Sequence, residues 1–169
     1  MVDDIDEYVA AVNRRRQEVL PQTEIDFMHE CEAKNDYANQ RYQDDVQILN
    51  INFVDRKQPS KLYHLGNLGG TAVYNAFQGD NEFVITGKLK DWHFRSQLPK
   101  IKVPTLLTFG EVETMPLETA RTMQKLIPNS RLVTTPDGGH HHMVDNPDAY
   151  YKHLADFIRE VEAGTFQGE

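Results

Sequence analysis

The chain has 169 residues, 39% of them hydrophobic, which is long enough for one domain with its own core. Its 26 acidic residues against 18 basic ones give a formal charge of −8, which excludes the clustered Lys and Arg footprint of a nucleic-acid binder. No run approaches the ~18 consecutive apolar residues of a membrane span, and the single cysteine, Cys31, excludes an internal disulfide or a cysteine-based metal site.

Ile5, Tyr8, Val9, Val12 and Val19 recur at helical spacing and predict a first helix that stops at Leu20-Pro21. Arg14-Arg15-Arg16 lies on it, and a solvated face is expected for that run. Thr23 is a candidate N-cap for a second helix carrying Ile25, Phe27, Met28 and Cys31, with Cys31 expected as a buried thiol rather than a nucleophile. Asn35 to Asn39 is a polar break, after which Tyr42, Val46, Leu49 and Phe53 define a third helix. Lys57 to Gly70 reads as a loop; its Gly66-Asn67-Leu68-Gly69-Gly70 lacks the preceding strand and the Lys-Ser/Thr ending of a phosphate-cradling motif. The acidic start, Met1-Val2-Asp3-Asp4, is unlike a signal peptide, so a cytoplasmic location is expected.

The pattern changes near Pro99. Thr105 to Phe109 is a short β-prone run ended by Gly110, which suits a buried parallel strand. Pro116 to Leu126 is helical, with Pro116 in its first turn and Leu117, Ala120, Met123 and Leu126 on one face. Arg131 to Thr135 is a second strand, and Pro136 to His142 a loop rich in Gly and His. Asn146 caps a last helix with Pro147 in its first turn and an apolar stripe of Tyr150, Leu154, Phe157, Ile158 and Val161. Strand, helix, strand, helix implies a parallel pair with a right-handed crossover. Two strands alone make a poor parallel sheet, so this unit reads as the end of a larger one.

Glu113 lies just past the first strand and His140 just past the second, on a glycine-rich loop. Those are the places of the acid and the histidine in a Ser-His-acid triad. No Gly-x-Ser-x-Gly occurs, and the serines are Ser60, Ser96 and Ser130. A surface carboxylate and ordinary loop histidines are the alternative reading. His140-His141-His142 also raises metal binding, but adjacent loop residues rarely converge on one ion and no carboxylate completes a zinc pattern, so no metal is expected.

Lys102 to Glu111 resembles the late-strand segment of the proline iminopeptidases. So do Asp137 to Met143 and the helix ending in Asp156-Phe157-Ile158. Tyr74 to Gly79, Asn81-Glu82-Phe83 and Thr86 to Trp92 are similar to the exit of that family's helical lid, and the helices from Tyr8 to Arg56 to the lid itself. The resemblance implies an incomplete α/β-hydrolase: residues 1–98 a helical lid, residues 99–169 a βαβα portion of the core with two parallel strands. It further implies a serine aminopeptidase chemistry without cofactor, acting on short peptides with N-terminal proline or other residues, or on amino-acid amides. His140 then matches the triad histidine, Glu113 the triad acid, Glu82 a carboxylate that grips the substrate ammonium, and Tyr74 a lid tyrosine beside the substrate. The family usually carries aspartate where Glu113 stands, and often a second glutamate where Thr114 stands. With no nucleophile elbow, the chain alone is expected to be inactive unless a companion N-terminal half supplies one. A non-catalytic binding protein or homodimer derived from the family is the alternative.

Overall fold

A computed structural model describes residues 2–57 and 71–169. The glycine-rich segment Gly66–Gly70, compared with a phosphate-cradling motif, lies outside them. Three helices come first: α1 (Ile5–Val19), α2 (Gln22–Lys34) and α3 (Gln40–Phe53). Asp4 caps α1, accepting from the N–H groups of Asp6 and Glu7. Pro21, not Thr23, occupies the cap position of α2. Its φ of −67° is already fixed, and its carbonyl accepts from the N–H groups of Glu24 and Ile25 without any side-chain cap. Asn35 closes α2 in the left-handed region, at φ 54°. Asn39 caps α3.

The three helices pack on one another through Tyr8, Val12, Ile25, Met28, Tyr42 and Leu49, all buried. Burying each such side chain is worth roughly 1.5–3 kcal/mol relative to exposure. Two expectations for α1 need correction. Val9 faces outward, because the inner stripe runs Ile5, Tyr8, Val12, Arg16. Arg16 is therefore not solvated: it sits four residues after Val12 on the buried face, 2% exposed. There it donates to both Glu32 carboxylate oxygens (2.6 and 3.2 Å) and to the Phe83 carbonyl (3.0 Å).

A short helix, α4 (Thr71–Phe77), and two 3₁₀ turns, Lys88–Asp91 and Arg95–Lys100, lead into the second portion. This segment is tied to the start of the chain. Ile5 N–H donates to the Trp92 carbonyl, the Trp92 indole to the Val2 carbonyl, and Arg95 to Asp3 and Glu7.

Strand β1 (Thr105–Gly110), helix α5 (Leu117–Leu126) and strand β2 (Ser130–Thr135) form the crossover unit. The strands are parallel, in register from Thr105 opposite Ser130 to Gly110 opposite Thr135. Pro116 occupies the cap position of α5 rather than its first turn. The histidine loop runs into a four-residue helix, α6 (His142–Asp145), one residue earlier than the expected end of the loop. Asn146 caps α7 (Pro147–Glu162), accepting from Ala149 N–H. α5 and α7 both pack against the two strands, yet no residue of α7 is fully buried, and Ile158 and Val161 of its stripe stay exposed. One apolar core runs from the helices through Leu98 to Leu107, Phe109 and Ala120 of the crossover unit. No helix of the described residues is long and apolar enough to cross a membrane.

Candidate functional site

Parallel strands deliver the turns at their C-terminal ends to the same edge, and here that edge carries the chemistry. The turn after β1 holds Glu113 and the turn after β2 holds His140. His140 Nδ1–H donates to Glu113 Oε1 at 2.6 Å. The extra methylene of glutamate therefore does not keep the carboxylate from the ring. Glu113 is buried, and its Oε1 also accepts from the Thr114 hydroxyl at 3.0 Å. Arg15 Nε–H donates to the Glu113 carbonyl, which pins this turn to α1. Gly110 is needed where the two turns meet: a side-chain carbon there would lie 2.2 Å from the Gly139 carbonyl oxygen.

Burial works against both charged forms, but the pair outweighs it. Burial pushes the Glu113 carboxyl up, while the hydrogen bond and charge of His140 and the Thr114 hydroxyl bring it net below the usual value. Burial likewise pushes His140 down, while the hydrogen bond and charge of Glu113 and the charge of Glu82 hold it net above the usual histidine value.

The other face of the ring looks into the lid. Glu82 Oε1 stands 3.7 Å from His140 Nε2. Two tyrosine hydroxyls hold Glu82: the single Tyr8 O–H is shared between Oε1 at 2.8 Å and the Glu82 carbonyl at 2.5 Å, and Tyr74 donates to Oε2 at 2.9 Å. Burial, then the neighbouring Glu82 charge, keeps both phenols well above their usual range, so both remain donors. Val2, Ile5, Phe77, Leu89, Trp92 and Met115 wall a cavity of about 360 Å³, and Glu82, Tyr8, Tyr74 and His140 form its polar end. The structure thus brings together all four residues singled out from the sequence. It adds Tyr8, which in the sequence is one more apolar member of the α1 stripe; nothing in its neighbours reveals that its hydroxyl reaches Glu82.

The three consecutive histidines diverge. His141 Nδ1–H donates to Asp55 at 2.7 Å, and His142 Nδ1 shares a hydrogen bond with the Thr135 hydroxyl at 2.8 Å. Among the described residues, the group with metal-ligand spacing is Asp4, Asp6 and His93 at the surface, where Asp4 already caps α1 and bonds His93. An imidazole held at Nδ1 by a buried carboxylate, with Nε2 open to a cavity, can accept a proton from a nucleophile. A carboxylate at the rim of an apolar cavity can hold a cation.

Helical lid, parallel crossover unit and strand-end acid–histidine pair together define a portion of an α/β-hydrolase. The solved structures agree on the fold. The chain superposes on VinJ with a TM-score of 0.86 at 20% identity, over 94% of this chain and 55% of that one. It superposes on the proline iminopeptidase of Mycobacterium smegmatis with a TM-score of 0.80 at 21% identity, over 94% and 54%. In sequence the chain is proline iminopeptidase-like. It is 31% identical to the proline iminopeptidase of Saccharolobus solfataricus over 91% of its own length, and 30% identical to that of Thermoplasma volcanium over 83%. It spans about half the length of these curated relatives, 51% and 49%. No family model matches it.

Proposed function

We propose that this chain supplies the lid (residues 1–98) and the acid and histidine (residues 99–169) of a serine aminopeptidase of the proline iminopeptidase type. Its substrates would be short peptides with a free N-terminal proline or similar residue, or amino-acid amides. The observation that carries this reading is the line of groups Glu113, His140, Glu82: a buried acid, an imidazole and a second carboxylate at the cavity, spaced by 2.6 and 3.7 Å.

In this reading His140 Nε2 takes the proton of an attacking serine hydroxyl and returns it to the leaving amine. Glu113 fixes the Nδ1–H tautomer and stabilises the imidazolium. Glu82, aligned by Tyr8 and Tyr74, holds the substrate ammonium, and the cavity takes the apolar ring or side chain. No cofactor or metal is required, and neither nucleic acid nor a membrane is a partner; the setting is cytoplasmic.

The 169 residues carry no Gly-x-Ser-x-Gly. Ser130 spends its hydroxyl on the Gln124 and Ile127 carbonyls, and Cys31 is buried in α2 with its thiol pushed up by burial. We therefore expect the 169-residue polypeptide alone to be inert, and turnover to need a nucleophile-bearing N-terminal half. The test is release of a chromogenic amine from a proline amide, first by the chain alone and then with such a half from a relative. Activity that appears on mixing and vanishes with His140→Ala supports the reading. Halves that associate yet stay inert, even with Glu113→Asp, overturn it. The outer edge of β1, unpaired among the described residues, favours a second reading as a homodimer without catalysis; a clean monomer in light scattering counts against that one.

A further inference from the structure

The backbone around His140 is held from the lid side, residue by residue. His140 N–H donates to the Phe53 carbonyl at 2.8 Å and His141 N–H to the Val54 carbonyl at 3.0 Å. Gly139 N–H donates to Asp145 Oδ2 at 2.8 Å, while Asp145 Oδ1 accepts from Lys57 N–H at 2.9 Å. Asp55 accepts from the His141 ring, and Arg56 Nε–H donates to the Asp137 carbonyl at 3.0 Å. Three successive N–H groups, those of residues 139, 140 and 141, are thus fixed by the exit of α3 or by a carboxylate bridged to it. The two backbones lie so close that a side-chain carbon on Gly139 would fall 2.7 Å from the Phe53 oxygen and 2.8 Å from the Val54 oxygen. Asp55 and Asp145 are themselves buried.

We propose that the exit of α3, residues 53–57, is a strap that sets the position of the His140 imidazole, with Asp145 and Asp55 as positioning residues. The inference rests on the reading of His140 as the general base. Its consequence is that the lid and the histidine move together: a lid shifted by about 1 Å carries the ring off its line, at a cost on the order of 100-fold in rate. Asp145 is the centre of the device, because only a carboxylate offers acceptors to both Gly139 and Lys57. An asparagine turns a donor toward one of them.

The test reads the ring itself, not turnover, so its failure is separate from a failure of the peptidase reading. In the whole chain, labelled at histidine nitrogen, the His140–Glu113 hydrogen bond is expected to give a low-field Nδ1–H proton resonance, and the ring to titrate above the ordinary 6.5. Asp145→Asn and Gly139→Ala are expected to lose that resonance and to move the His140 midpoint down toward 6.5, while a cooperative melt and dispersed amide spectrum persist. Asp145→Glu should restore part of the signal. Variants that fold and keep both the resonance and the midpoint overturn the proposal. Should neither variant fold, hydrogen exchange of the unmodified chain decides. The strap requires His140 and His141 amides to be protected within about threefold of Val54 at the end of α3. Exchange more than about tenfold faster than Val54 overturns it.

Discussion

On its core side His140 meets Glu113, and on its lid side Glu82; the two carboxylates live in different surroundings. The Glu113 side chain is 4% exposed and already holds the ring and the Thr114 hydroxyl. The Glu82 side chain is 20% exposed, is bonded by neutral phenols and borders an apolar cavity. A buried carboxylate whose one charged partner is the ring can orient and stabilise that ring and do little else. A carboxylate whose hydrogen bonds come from neutral phenols, with the imidazole no nearer than 3.7 Å, has no cation in hydrogen-bond contact and can meet an incoming one. The difference fits the proposed roles: orientation for the core glutamate and substrate binding for the lid glutamate.

That division can be broken in order of effect. Glu113→Gln in the complemented enzyme should reduce kcat by about 10³- to 10⁴-fold with little change in KM, since the tautomer and the imidazolium lose their partner. A loss shared equally by KM would contradict an orienting role. Glu82→Gln should cost about 10- to 100-fold, mostly in KM, the worth of a charge-assisted hydrogen bond to the substrate. Steady-state kinetics on one proline amide separates the two. Tyr8→Phe should lower unfolding stability by about 1–2 kcal/mol, because the Glu82 carbonyl and carboxylate lose the one hydroxyl proton they share; a urea titration reads it.

The smallest effect is the dependence of stability on pH. His140 is raised, so its contribution is complete below 6.5 and fades as pH rises through its folded value. Glu113 is lowered, so its contribution is complete above 4.5 and fades as pH falls through its folded value. The pair therefore stabilises most between about pH 4.5 and 6.5. His142 works in the opposite sense, since burial, the largest influence, holds its pKa below 6.5 and its contribution fades as pH falls. Denaturation of Glu113→Gln across this range should show a flatter profile than the unmodified chain.

The first portion is legible where burial follows a period. The stripes of α1, α2 and α3 name most of their buried residues, and Pro147 behind Asn146 marks the start of α7. Arg16 misleads, because an arginine at a core position looks like surface until its partners, Glu32 and Phe83, are known, and both are distant in sequence. The meeting of Glu113 and His140 obeys one local rule, that parallel strands end at the same edge. The lid side of the site obeys no local rule. Tyr8 to Glu82, Phe53 to His140 and Lys57 to Asp145 are contacts between residues far apart in the chain, and no spacing in the sequence encodes them.

The division of labour is tested most directly by one ratio: kcat/KM for a proline amide with a free amine over that for its N-acetylated counterpart. It should be measured in the complemented enzyme and in its Glu82→Gln and Glu113→Asp variants. The ratio is expected to collapse toward unity in Glu82→Gln and to persist in Glu113→Asp, whatever the absolute rates. A ratio unchanged in Glu82→Gln would contradict a cation-binding role for Glu82.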